Sequence, residues 1–265
     1  MTSGSDGLAR DNLAAGKPAL VWRSLIADTE TPVSAYLKLS EEGRGDFLLE
    51  SVEGGAVRGR YSLIGLAPDL VFRANGDAAE VNRHWLTDRD SFSPLPESAL
   101  PSLRTLVNAC RIDVPDELPS ALACLVGYFA YETIGLVEKL PRPPANPINL
   151  PDMLFVRPTV VLVFDRLADR LFFVSPVWPD DGTPDALIAR AIERIEAAQA
   201  RLAQPLPEQN RTSNFTELPV PQPVLAPGRY GDMVLKAKDY IEAGDMFQVV
   251  LAQRFTMPFP LPAFD

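Results

Sequence analysis

Glu50, Ser51, Arg58 and Arg60 lie within one short stretch, FLLESVEGGAVRGRYSLIG (Phe47–Gly65), and are the side chains best placed to share one chemistry. A carboxylate, a hydroxyl and a guanidinium together complement a free amino acid. The carboxylate suits an ammonium, and Arg with Ser suits a carboxylate. The stretch reads as strand, turn and strand: Phe47-Leu48-Leu49 is apolar, Glu53-Gly54-Gly55 signals a turn, and Tyr61-Ser62-Leu63-Ile64 resumes the strand. A hairpin would bring Glu50 and Ser51 near Arg58 and Arg60. The same residues also fit a Glu–Arg ion pair across a wet sheet face, worth ~0.2–1 kcal/mol. Strict alternation would turn Glu50 and Ser51 to opposite faces unless the strand bends there.

Other reactive side chains are few. Cys110 and Cys124 are the two cysteines, both in apolar surroundings, which fits a buried reduced pair better than zinc. His84 is the sole histidine and is expected on a strand surface. No Ser-His-Asp or His-metal constellation can be assembled in this chain. Near the end, Met246–Phe255 alternates as a strand. Gln248 and Arg254 interrupt its second, apolar face, so they could floor a polar pocket.

The elements that must position these groups are legible to different degrees. Thr31-Pro32 has the form of a helix start. Asn75-Gly76 suits a hairpin turn, and Ser102–Arg111 reads as a helix. Ala121–Tyr131 is apolar on both faces, as in a strand buried between layers, with Gly127 marking a close approach. Val160–Phe164 and Leu171–Val174 read as a strand pair. Pro184–Ala203 reads as a helix capped by Thr183, and Tyr230–Ile241 as another stopped by Gly244.

The expected organisation is a mobile tail over 1–16, a domain over 17–203, a proline-rich linker or wrap over 204–228, and the incomplete start of a second domain over 229–265. The linker assignment rests on six prolines among polar residues. An apolar strand face so late in the sequence calls for a partner, so the reading is the front part of a longer protein. A net charge of −10 argues against nucleic acid or an anionic membrane as partner. No apolar run approaches the length of a membrane span.

LLESVEGGAVRGRYSLIG resembles the regulatory segment of the anthranilate synthase component I family. LVGYFAYETIGLVEKLP (Leu125–Pro141) and YIEAGDMFQVVLAQRF (Tyr240–Phe255) are similar to the same family, in the same order. The resemblance implies an α/β (α+β) fold with antiparallel sheets packed face to face and helices outside. It implies conversion of chorismate and ammonia to anthranilate and pyruvate, with Mg²⁺, in the cytoplasm. The ammonia would come from glutamine through an amidotransferase subunit, component II. It further implies feedback inhibition by L-tryptophan, with Ser51, Glu50 and Arg60 at effector positions. The family's catalytic histidine and acidic metal ligands belong to sequence after the Gln248–Phe255 motif, so no catalytic or metal-binding residue is assigned within this chain. Two alternatives remain: aminodeoxychorismate synthase component I, which shares the last motif, and a non-catalytic amino-acid-binding module.

Overall fold

A computed structural model of the protein describes residues 4–53, 57–140, 146–179, 182–207, 219–259 and 264. The chain divides into two compact units, Met1–Pro207 and Glu208–Asp265.

In the first unit the elements run α1 (Gly4–Ala14), β1 (Ala19–Ile26), α2 (Pro32–Leu39), β2 (Phe47–Glu53) and β3 (Val57–Leu66). Next come β4 (Leu70–Asn75), β5 (Ala78–Asn82), β6 (Phe92–Pro94) and α3 (Ala99–Ala109). Then follow β7 (Val126–Phe129), a 3₁₀ turn over Tyr131–Leu136, β8 (Met153–Arg157), β9 (Val160–Asp165), β10 (Arg170–Val177) and α4 (Pro184–Leu202). The strands form two five-stranded antiparallel sheets, ordered β1-β10-β9-β3-β2 and β6-β5-β4-β8-β7. This is the mixed helical and antiparallel-sheet architecture that the resemblance implies.

Helices cover one face of the first sheet. Thr31 caps α2 through a reciprocal bond with Ser34, and Thr183 accepts from the Ala186 amide to cap α4. Leu187, Ile188, Ala191, Ile195, Ala198 and Leu202 of α4 make one buried stripe. It packs on Val21, Ile64, Leu162, Leu171 and Phe173 of the sheet. Full burial of each large side chain contributes about 1.5–3 kcal/mol. The opposite face carries Leu20, Leu63, Val161, Val163, Phe172 and Val174, covered by Leu118, Leu122 and Cys124. In the second sheet, Leu70, Phe72, Ala74, Val81 and Met153 pack under Leu103 and Leu106 of α3.

The sheets join at a corner where β3 leads into β4 and β8 into β9. Arg157 donates to both carboxylate oxygens of Asp69, at 2.7 and 2.9 Å. The Thr159 hydroxyl donates to the Ala67 carbonyl at 2.8 Å. Ala67 itself has φ +47, a left-handed conformation that a tight corner demands. Trp178 touches the core clusters of both sheets, and Arg157 lies over its ring at 4.7 Å.

Several expectations need correction. Residues 1–16 are not a mobile tail where they are described: Gly4–Ala14 is helix α1, with Ala9 and Leu13 in the first core. Arg23 on β1 holds this helix by donating to both carboxylate oxygens of Asp6, at 3.0 and 3.1 Å. Ala121–Tyr131 contributes only the edge strand β7, and Phe129 is exposed. Its upstream residues Leu122 and Cys124 instead plug the first sheet without joining a ladder. His84 sits in an exposed turn after β5, where its carbonyl accepts from Thr87 and Asp88. The Gly54-Gly55 turn, 141–145 of the proline-rich connection and 208–218 of the linker lie outside the described residues.

The second unit contains β11 (Gln222–Pro223), α5 (Arg229–Glu242) and β12 (Phe255–Thr256). Gly244 follows α5 with φ +80, the left-handed stop that glycine makes cheaply. The expected strand over Met246–Phe255 is reduced to Phe255 and Thr256, paired with Pro223 and Gln222. An alternating pattern forms a ladder only against a partner strand, and Met246–Arg254 pairs with none among the described residues.

Candidate functional site

Glu50 ends the regular part of β2, opposite Ser62 on β3. Between Glu50 and Val52 the β2–β3 register shifts, because Val52 faces Arg58 rather than Arg60. That irregularity lies opposite Ser51 and on the β3 side, where residues 59–61 stand against this one position of β2. The side chains of Ser51 and Arg58 lie outside the described residues.

The hairpin does not pair Glu50 with Arg60. Glu50 instead accepts from Arg166, at 3.1 Å, and the same guanidinium nitrogen reaches the Ser62 hydroxyl at 3.3 Å. Arg166 follows β9, whose Phe164 faces Ser62 in the ladder. A carboxylate, a guanidinium and a buried hydroxyl thus meet across three strands at one end of the sheet. Arg60 turns instead to Asp165, the last residue of β9. Its Nε and Nη2 donate to the two carboxylate oxygens at 2.9 and 2.7 Å.

Asp165 also accepts from the Leu167 and Ala168 amides, at 3.1 and 3.4 Å, which shapes the β9–β10 turn. The Arg60 hydrogen bond is the main force holding the Asp165 carboxyl below its ordinary value; burial opposes it, and the Arg60 charge and the two amides add to it. Reciprocally, the bond to Asp165 raises Arg60 further. The two residues form part of the wall of a polar hollow of about 480 Å³, with Tyr61, Asp116, Glu117 and Ser120. Arg166 and Asp165 also border a smaller hollow of about 170 Å³ beside Glu30 and Arg170.

The sequence pattern pointed to Glu50 and Arg60 on this hairpin but carried no sign of Ser62, Asp165 and Arg166, which are their partners or neighbours here. The missing signal is the pairing of β3 with β9, a contact far apart in sequence. Gln248 and Arg254 belong to the second unit and are exposed on irregular chain. The Arg254 carbonyl accepts from the Val224 amide at 2.9 Å. Cys110 and Cys124 are buried thiols, and burial pushes Cys124 up to about 12, which suits a structural role. Among the described residues, no group of three or more His, Cys, Asp or Glu could hold a metal ion. No described helix is long and apolar enough to cross a membrane.

Comparison with known proteins bears on the same segments. The chain is 41% identical over 251 residues to anthranilate synthase component 1 of Cereibacter sphaeroides, covering 94% of this chain and 50% of that protein. It is 36% identical over 244 residues to the protein of the same name from Thermus thermophilus, covering 91% of this chain and 48% of the relative. The chain thus spans about half the length of the curated relatives it matches. Among solved structures, anthranilate synthase component I from Streptococcus pneumoniae TIGR4 superposes with a TM-score of 0.58 at 22% identity. That match covers 90% of this chain and 50% of the other, and it speaks to the fold. The profile of the family described as chorismate binding enzyme matches residues 44–265, and the chain belongs to that family.

Proposed function

We propose that this chain is the amino-terminal, effector-binding part of a cytoplasmic anthranilate synthase component I. The observation that carries the reading is 41% identity over 94% of the chain with a protein of that name. The complete enzyme would convert chorismate and ammonia to anthranilate, pyruvate and water. Its ammonia would come from glutamine through a component II amidotransferase. Mg²⁺ belongs to this proposal too, with its ligands supplied by sequence other than the described residues, among which no group of three or more His, Cys, Asp or Glu could hold it.

The role proposed for this chain is to bind L-tryptophan at the β2–β3 hairpin and report that binding to the chorismate-converting half. Glu50 would receive the ammonium, and Ser51 would donate to the carboxylate. The register shift opposite Ser51 supports this use, because it interrupts the β3 side of the ladder, between Arg58 and Ser62, beside these two residues. Arg60 joins the site only by giving up or sharing Asp165. Feedback then follows if tryptophan prefers the inactive arrangement of the enzyme.

The test supplies the complete reading frame with chorismate, ammonia and Mg²⁺ and identifies the product. Anthranilate fluorescence supports the reading. Accumulation of aminodeoxychorismate would assign the chain to the sister enzyme, and no turnover of chorismate would favour a non-catalytic binding module. The 265-residue chain by itself is expected to give no turnover above a heat-killed control.

A further inference from the structure

We propose that a second hollow, under helix α3 in the other sheet, is a binding site for a single α-amino acid with an apolar side chain. Residues Ser102, Thr105, Leu106 and Ala109 fall at the spacing of one helix face and form one wall. Phe72 and Val81 of the sheet form the floor, and Leu95, Pro96 and Glu97 close the side on the way into α3. The hollow measures about 270 Å³.

The chemistry of the hollow is divided between floor and rim. Phe72, Val81 and Leu106 are buried and apolar, so an apolar side chain entering there leaves water. Arg83, Glu97 and Thr105 stand at the exposed rim, and their side chains make no hydrogen bond or ion pair among the described residues. Ser102 is already committed, donating to the Glu97 carbonyl at 2.9 Å.

An unspent guanidinium and an unspent carboxylate on one rim select against singly charged ligands. A simple carboxylate gains Arg83 and is repelled by Glu97; a simple amine meets the reverse. A zwitterion satisfies both, and the hydroxyl of Thr105 adds one more donor or acceptor. The volume sets the size, because drug-sized ligands occupy pockets of about 300–1,000 Å³ and this one falls just below that range. The site is separate from the β2–β3 hairpin, since it is built from α3 and the second sheet.

The experiment measures saturable binding to the full 265-residue chain by ligand-observed NMR. The probes are L-leucine and L-phenylalanine, with 4-methylpentanoate and 3-methylbutylamine as the singly charged comparisons. Expected is millimolar or tighter binding of at least one amino acid, and at least tenfold weaker binding of both analogues. Arg83→Gln and Glu97→Gln should each weaken the amino acid at least tenfold, and Thr105→Leu should abolish binding by filling the hollow. Both rim residues are exposed, so these variants should melt like the parent, which thermal unfolding checks. Ser51→Ala should leave this binding unchanged, which keeps the result independent of the effector site proposed above. Absence of saturable binding by either amino acid would overturn the proposal. So would binding that survives both rim substitutions, or binding lost in Ser51→Ala.

Discussion

Arg60 and Asp165, 105 residues apart in sequence, meet through two parallel hydrogen bonds across β3 and β9. The pair ties the β2–β3 hairpin to the β9–β10 turn, and it depresses the Asp165 carboxyl. A depressed carboxyl contributes stability above its unfolded value, about 3.9 for Asp, and loses it as pH falls through the lower folded value. Asp165→Asn should therefore melt below the parent at pH 7, and the difference should shrink as the pH is lowered toward 3. Thermal melts of both proteins across that range check the sign. A difference that stays constant with pH would remove the ion pair from the account.

Gly127 on β7 passes against β8 so closely that a Cβ there would lie 2.0 Å from the Leu154 carbonyl oxygen. Backbone cannot yield as a flexible side chain does, so Gly127→Ala should cost at least about 1–3 kcal/mol. Urea unfolding would show a lower midpoint with an unchanged slope. By contrast, Gly135→Ala meets nothing within 4 Å and should be close to neutral.

Leu13 is 7% exposed and belongs to the first core. Leu13→Ala should destabilise the chain by about 2–5 kcal/mol, and a solvated tail would give no change. The same denaturation assay distinguishes the two.

How much of this was legible depended on where the partner of each residue lies. Helix α4 announces itself locally, through Thr183, Pro184 and a long apolar stripe. The β9–β10 pair likewise sits beside its own turn. Helix α1 has no such signal: Leu8 is exposed, only Ala9 and Leu13 join the core, and the Asp6 anchor is Arg23 on the next strand. At the candidate site, Glu50 and the hairpin that carries it could be read from LLES and the glycine turn. Arg166 could not, because it reaches Glu50 only once β9 has paired with β3, 116 positions away in sequence. Met246–Phe255 shows the converse, an alternating pattern of which, among the described residues, only Phe255 joins a ladder, opposite Pro223.

The central claim is that the β2–β3 hairpin carries the tryptophan site of an anthranilate synthase, and Ser51→Ala in the complete enzyme tests it most directly. A lost hydrogen bond to a charged ligand group costs about 1.5–3 kcal/mol, so the tryptophan inhibition constant should rise about 10- to 100-fold. Uninhibited anthranilate formation should stay near that of the parent if the hairpin serves the effector alone, as proposed. Inhibition curves at matched chorismate, followed by anthranilate fluorescence, read both quantities at once. An unchanged inhibition constant, with activity and thermal stability falling together, would contradict the account.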